Sequence, residues 1–387
     1  MLLVLSEAAH DYLLTLTSGA SNSGPLTPAG LTAQLNSDED LIRLWLDGET
    51  IFEGIGKSQA IAVVSESAGK GGGTPIPFVA VSASSDGGIK ASFTPDSGGV
   101  KIECEIEIVR LDTDVFNRVQ GIFDTGLLRP KTVAIIGLGS GGSLVALELA
   151  KSGVGNFVLV DFDRLHAHNI SRHACGLSDV GRYKTRAVRD KILQHNPQAQ
   201  VICHEVDVTE ANELLCQVVV DSDLVVAATD SEVSRYMINE ECLQAGVPAV
   251  YGGAYERAFA GEVVRVIPDQ GGCYACVRQG MARVVRSVSA DQVFDYTEDT
   301  EDNDTFQAEP GLGMDVGFIA MIQAKVALMT LLRNENSQVG DIEAQMVVWT
   351  NTPRPEDGKL FSEPMARYFI NVPKSPDCVA CGELAES

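Results

Sequence analysis

The sequence predicts an α/β protein: a doubly wound, mainly parallel sheet with a C-terminal antiparallel extension, preceded by a small N-terminal α+β domain. Three observations carry that prediction. From Lys131 onward, short β-branched runs alternate with helical patterns, as in successive β-α-β units. The first run, Val133-Ala-Ile-Ile136, leads directly into Gly137-Leu-Gly-Ser-Gly-Gly142, and Ser143 to Ser152 then reads as a helix stopped by Gly153. Residues 1–112 lack this alternation, which places one domain at 1–112 and a second at 113–387.

In the first region, Ser6–Leu16 and Thr27–Leu46 read as helices. Short β-like runs follow at Ala60–Val64, Phe78–Val81 and Ile89–Phe93, parted by Gly/Ser-rich turns. The clearest strand is Lys101–Val109. There Ile102, Cys104, Ile106 and Ile108 alternate with Lys101, Glu103, Glu105 and Glu107, a half-buried pattern. No catalytic constellation stands out here, so the region reads as an accessory domain, or one that recognises a partner or substrate. Leu111–Arg129 is a connector with helical character. Strands are then expected at Val133–Ile136, Phe157–Val160, Val201–Glu205, Leu224–Ala228 and Ala249–Tyr251, with an antiparallel one at Glu262–Ile267. Met281–Gly313 holds the acidic run Glu298-Asp-Thr-Glu-Asp-Asn-Asp304 and reads as a long flexible loop. Val316–Leu332 is apolar enough to raise the question of a membrane span. Gln323 and Lys325 interrupt it, which favours a buried core helix. A strand at Met346–Thr350 and a tail carrying Cys378 and Cys381 complete the chain.

The bulk numbers exclude some partners. A formal net charge of -24 over 387 residues would repel a phosphate backbone, so nucleic acid is not expected. The start, Met1-Leu-Leu-Val-Leu5, has no positive n-region and soon meets Glu7 and Asp11, so neither a signal peptide nor a membrane partner is expected. Nine cysteines, four of them in two C-x-x-C pairs, point to metal binding in a reducing cytoplasm rather than to a disulfide framework.

The chemistry concentrates after Ile136. Gly137, Gly139 and Gly142 form G-x-G-x-x-G between a strand and a helix. Glycine is needed there because the turn is tight and a phosphate must come close to the backbone, facing the free N–H groups of the helix start. Asp161 ends the next strand about 20 residues on, where an acid can take ribose hydroxyls, giving a Rossmann-like nucleotide site. Asn169, Arg172 and Lys184 follow beyond that strand's carboxyl end. Two cations reaching a glycine-rich loop read as phosphate ligands, whereas each alone would read as part of a solvated face. Asp230 ends the strand Leu224-Val-Val-Ala-Ala-Thr-Asp230. It can hold Mg²⁺ or, alternatively, serve as an ordinary helix N-cap. Cys273, Cys276, Cys378 and Cys381 supply four thiolates, the donor set of a closed structural zinc site. Of the other cysteines, Cys203, Cys216 and Cys242 read as core residues, and Cys175 lies near the nucleotide motif.

These motifs together resemble the ThiF/MoeB/HesA family, the adenylating domain of ubiquitin-activating enzymes. The resemblance spans about Val115 to Cys381. It rests on Gly137–Gly142, Asp161-Phe-Asp163, Asn169-x-x-Arg172, Lys184, Thr229-Asp-Ser231 and the two cysteine pairs. It implies ATP- and Mg²⁺-dependent adenylation of the C-terminal carboxylate of a ubiquitin-like or sulfur-carrier protein, with release of pyrophosphate. A short peptide substrate is the variant reading. Asp161 and its neighbour Asp163 would serve the ribose side, and Asn169, Arg172 and Lys184 the triphosphate. Asp230, beside Ser231, would serve Mg²⁺. Arg118 resembles an arginine that reaches the partner subunit's triphosphate, which implies a homodimer. Members that form a thioester carry a cysteine after the first zinc pair. None lies between Cys276 and Cys378, so release of an acyl-adenylate is expected. Two other classes compete: a nicotinamide-dependent oxidoreductase with the same glycine pattern, and a non-catalytic scaffold. The first does not call for Arg172, Lys184 or four zinc cysteines. The second leaves the filled catalytic positions without a purpose.

Overall fold

The computed structural model describes residues 1–18, 31–36, 38, 40–46, 58–65, 77–83, 88–95, 100–110, 114–284 and 311–382. Internal contacts divide the chain into two units, Met1–Asn117 and Arg118–Ser387.

In the first unit the strands are β1 (Leu2–Ser6), β2 (Leu31–Asn36), β3 (Leu41–Leu46), β4 (Ser58–Ser65), β5 (Phe78–Ala83), β6 (Ile89–Thr94), β7 (Ile102–Glu103) and β8 (Glu105–Val109). One helix, α1 (Glu7–Ser18), follows β1. The strand order is β7-β6-β5-β4-β2-β3-β1-β8. The alternating stretch at 101–109 is therefore not one strand. It breaks at Cys104, whose N–H donates to the Ala91 carbonyl at 2.9 Å. Its first part pairs antiparallel with β6 and its second pairs parallel with β1. The two ends of the sheet are consecutive pieces of chain, so the sheet closes on itself and leaves few open edges. Ala9 and Leu13 of α1 are buried with Leu3, Leu5, Ile42, Leu44, Val79 and Phe93 in its core.

The helix expected over Thr27–Leu46 is corrected. Residues 27–30, 37 and 39 lie outside the described set, and β2 and β3 pair antiparallel with Leu31 opposite Leu46 and Leu35 opposite Ile42. The reversal is held by side chains. Asn36 Oδ1 accepts from the backbone N–H of Asp40 (3.1 Å) and of Leu41 (3.0 Å), and Asn36 Nδ2 donates to Asp40 Oδ1 at 2.8 Å. Such local bonds compete directly with a helical ladder.

The second unit contains β9 (Thr132–Ile136), α2 (Ser140–Lys151), β10 (Asn156–Val160), α3 (Lys184–His195), β11 (Gln200–His204), α4 (Asn212–Val220) and β12 (Leu224–Ala227). It continues with α5 (Glu232–Ala245), β13 (Ala249–Ala254), β14 (Ala260–Val266), α6 (Tyr274–Val284), α7 (Gly313–Leu332), β15 (Met346–Thr350) and β16 (Arg367–Ile370). The sheet order is β11-β10-β9-β12-β13-β14-β15-β16. The first five strands are parallel and the last three antiparallel. This is the doubly wound sheet with antiparallel extension that the sequence predicts. Three details differ. The connector forms turns over 114–122 and a 3₁₀ turn at Thr125–Leu127 instead of an α-helix. Helix α6 reaches Val284, inside the stretch expected as loop, whose acidic run lies outside the described residues. Strand β16 has no counterpart among the expected elements.

The core is two layers, one on each face. Val133, Ile135, Phe157, Leu159, Leu224 and Val226 face α2, α3 and α7. Their neighbours Ala134, Ile136, Val158, Val160, Val225 and Ala227 face α4, α5 and α6. Successive strand residues point to opposite faces, so a strand buried on both sides must be apolar throughout. Helix α7 is long and apolar enough to cross a membrane by length and composition, and half of its most apolar window is buried in the fold. Gln323 sits on the buried side, and its Nε2 donates to the carbonyls of Ala227 (3.2 Å) and Val250 (3.1 Å).

Strand order reverses at β9, which has β10 on one side and β12 on the other. Open α/β sheets bind ligands at that point, beyond the carboxyl ends of the strands.

Candidate active site

Gly137 leaves β9 with φ +88, a conformation that side chains rarely adopt. A Cβ on it would lie 2.7 Å from the Ala228 carbonyl, and a Cβ on Gly142 would lie 2.0 Å from the Gly137 oxygen. A Cβ on Gly139 would meet nothing within 4 Å. Two glycines thus serve the protein's own packing, and the third faces open space at the N-cap of α2. The free N–H groups of that helix start offer donors that an anion could take.

Asp161 stands beyond β10. Its Oδ2 accepts from the Leu138 N–H at 2.6 Å and its Oδ1 from the Asp163 N–H at 2.8 Å. An ionised carboxylate offers about four lone-pair sites, so about two remain for a ligand's hydroxyls. Burial pushes this carboxyl above its ordinary value, while the Lys184 ammonium pulls it back. Lys184 opens α3, is buried, and donates from Nζ to Asp163 Oδ2 at 2.5 Å. An ammonium has three donors, so two stay available. Asp163 thus acts here as the anchor that aims Lys184.

Asn169 closes a 3₁₀ turn, Ala167–Asn169, and its Oδ1 accepts from the His166 N–H at 2.9 Å. Its carbonyl takes the N–H groups of Arg172 and His173, both at 3.0 Å. Arg172 lies against the start of α7: a Cβ on Gly313 would sit 3.3 Å from its Cα, and one on Gly311 would sit 3.8 Å from its Nη1.

Asp230 follows β12 and is exposed. The helix N-cap is Ser231, whose Oγ accepts from the Ser234 N–H at 3.4 Å. The N-cap reading of Asp230 therefore falls away. Its carboxylate makes no hydrogen bond or ion pair among the described residues, leaving it available for a cation.

The four cysteines converge. All four sulfurs lie within 4.8 Å of one another, with Cys273–Cys378 at 3.6 Å, Cys276–Cys381 at 3.5 Å and Cys273–Cys276 at 4.0 Å. A Zn–S bond of about 2.3 Å in a tetrahedron gives S···S edges of about 3.8 Å. The donor set and spacing fit zinc, and they tie the C-terminal segment to α6.

Sequence reasoning missed two buried side chains. His173 Nδ1 accepts from the Cys175 N–H at 3.0 Å, which leaves Nε2–H to donate to the Leu138 carbonyl at 2.8 Å inside the glycine turn. Burial pushes this imidazole below its ordinary value. Arg235 binds the Thr229 carbonyl through Nε (3.0 Å) and Nη2 (2.7 Å). No spacing rule announces either, because their partners are backbone groups on other elements. Cys175 is buried, and burial pushes its thiol up to about 12, which rules out a ready nucleophile. Cys216, expected in the core, is exposed on α4. A cavity of about 460 Å³ lined by Gln120–Asp124 and Asn336–Gln338 lies past the far end of α7, roughly 30 Å of helix from Arg172.

Comparison with known proteins shows the family. The model of the ThiF family matches residues 119–355. The SAMP-activating enzyme E1 of Haloferax volcanii is 31% identical over 264 residues, covering 67% of this chain and 83% of that one. Ubiquitin-like modifier-activating enzyme 5 of Caenorhabditis elegans is 28% identical over 182 residues, 43% of each chain, so the match spans less than half of that relative. The structure of E. coli MccB with ATP shares the fold at a TM-score of 0.51 and 18% identity, covering 70% of this chain and 75% of that one. With a family model spanning more than half of its length and an archaeal relative aligned over two thirds of it, the chain belongs to the ThiF family.

Proposed function

We propose that this protein is an ATP- and Mg²⁺-dependent adenylyltransferase that activates the C-terminal carboxylate of a ubiquitin-like or sulfur-carrier protein. One observation carries the reading. At three adjacent strand ends stand an open helix start at Gly139, an aimed ammonium with spare donors at Lys184, and, at Asp230, a carboxylate with no partner among the described residues. The relatives' names are those of activating enzymes, which supports the same chemistry.

In this reaction a carboxylate oxygen of the carrier attacks the α-phosphorus of ATP. The new O–P bond forms as the bond to the β-phosphate oxygen breaks, and pyrophosphate leaves with the electron pair. No proton needs to move and no protein nucleophile is required, which suits a site whose nearby cysteine is an inert core thiol. Charge grows on the non-bridging and leaving oxygens, where Lys184, Arg172 and the N–H groups at the start of α2 lower its energy. Mg²⁺ held by Asp230 would neutralise charge on the phosphates. Asp161 would fix the ribose. The product released is the acyl-adenylate.

The test is ATP–pyrophosphate exchange with purified candidate carriers ending in Gly-Gly. Exchange should require the carrier, and Arg172→Ala should lower it by about 10²–10³-fold, as loss of one preorganised donor does. Exchange without Arg172 dependence, or a nicotinamide absorbance change in place of exchange, would sink the reading. A short peptide is the second candidate substrate, because E. coli MccB, solved with MccA, shares the fold. Exchange driven by a peptide and not by a carrier would select it.

A further inference from the structure

Between the four-sulfur cluster and the turn that bears Asp230 lies one buried guanidinium. Besides its two bonds to the Thr229 carbonyl, Arg235 donates from Nη2 to the Gly252 carbonyl (3.1 Å) and from Nη1 to Glu232 Oε1 (3.2 Å) and Tyr274 Oη (3.4 Å). Thr229 immediately precedes Asp230. The peptide between them is planar, so gripping its oxygen fixes the direction in which Asp230 leaves the strand.

Tyr274 lies between two cysteines of the cluster, Cys273 and Cys276. It is fully buried, and three contacts settle its position. Its ring stacks on Tyr251 at 4.4 Å between centroids, its N–H donates to Asn239 Oδ1 at 2.9 Å, and its O–H donates to Glu232 Oε1 at 3.0 Å. The same hydroxyl accepts from Arg235. An unbroken chain of bonds thus runs from the cysteine pair at the start of α6, through Tyr274 and Arg235, to the carbonyl in front of Asp230.

We propose that Arg235 and Tyr274 are positioning residues for the Mg²⁺ carboxylate. The proposal rests on the reading of Asp230 as the Mg²⁺ ligand. Groups behind a metal ligand set its orientation, and their loss lowers metal affinity about 10- to 100-fold. Arginine suits the post because its planar fork holds the Thr229 carbonyl through two nitrogens while it reaches Gly252, Glu232 and Tyr274, more contacts than an ammonium's three donors allow.

The experiment measures ATP affinity of the full-length protein by calorimetry, in EDTA and across a Mg²⁺ series. The proteins are wild type, Arg235→Lys, Tyr274→Phe and Asp230→Asn. Tyr274→Phe keeps the ring stack and removes only the hydroxyl. Both positioning variants should need about 10-fold or more Mg²⁺ for half-maximal tightening. They should keep one zinc per chain and wild-type ATP affinity in EDTA. An unchanged Mg²⁺ requirement in both variants overturns the proposal. So does an equal loss of ATP affinity with and without Mg²⁺, since that marks general disruption. Asp230→Asn separates the two levels: if it retains the wild-type Mg²⁺ response, the underlying reading of Asp230 fails, whatever the positioning variants do.

Discussion

Gly137 and Gly139 stand two residues apart, and the space around them differs sharply. A Cβ on Gly137 meets the Ala228 backbone, and one on Gly142 meets the Gly137 carbonyl, whereas Gly139 has room and an ordinary φ of -68. Gly142→Ala should therefore cost about 1–3 kcal/mol through overpacking, read as a lower denaturant midpoint at unchanged slope. Gly139→Ala should leave that midpoint alone and weaken ATP binding, because its Cβ occupies the space a phosphate needs. Equal effects of the two substitutions on stability would contradict the division of labour. His173 gives a pH signature at the same turn. Its folded pKa lies below the unfolded value of about 6.5, so the unfolded chain takes up a proton that the folded turn refuses. Stability from this group is complete above about pH 6.5. It is lost as pH falls from there toward the folded pKa, by up to about 1.4 kcal/mol per unit. His173→Gln, which can still donate to Leu138, should flatten that part of the wild-type stability–pH curve.

At the scale of elements, the cysteine pairs join α6 to the segment 378–381, which follows the last strand. Cys378→Ser should abolish stoichiometric zinc, measured by atomic absorption, and lower the melting temperature by about 10 °C. Retention of one tightly held zinc would show that the four sulfurs do not act as one site. These sites were legible in the sequence for a physical reason: glycine turns and metal clusters constrain residue type at fixed short spacings. The parallel strands were legible because burial on both faces demands unbroken apolar runs. The hairpin of β2 and β3 was not. Leu31, Leu35, Ile42 and Leu46 fit a helical stripe as well as an alternating one, and the choice fell to the Asn36–Asp40 reversal. Alternation at 101–109 located a strand but could not tell that Cys104 hands it from β6 to β1. Arg235 escaped notice because its acceptors, the Thr229 and Gly252 carbonyls, come from the turn after β12 and from β13, which only the sheet brings together.

For the molecule as a whole, the residues of the site point to more than one chain. Arg118 is exposed in the turns ahead of β9 and makes no hydrogen bond or ion pair among the described residues. An exposed arginine that nothing among the described residues of its own subunit holds can reach a phosphate across a two-fold interface. We propose a homodimer in which each Arg118 completes the partner's site, an isologous arrangement that closes on itself. Sedimentation should then give a dimer, and Arg118→Ala and Asp230→Ala should each abolish exchange alone. Mixing the two inactive proteins at equal amounts and allowing subunits to redistribute makes about half of the dimers mixed. In a mixed dimer, the site with intact Asp230 receives Arg118 from the Asp230→Ala subunit and works, while the other site lacks Asp230 and stays dead. Half the dimers with one live site of two amount to about a quarter of wild-type activity. If Arg118 instead served its own chain's site, every site in the mixture would lack one of the two residues and exchange would stay at background. The quarter-activity result therefore depends on arginine and carboxylate acting from different subunits, and no general effect on folding reproduces it.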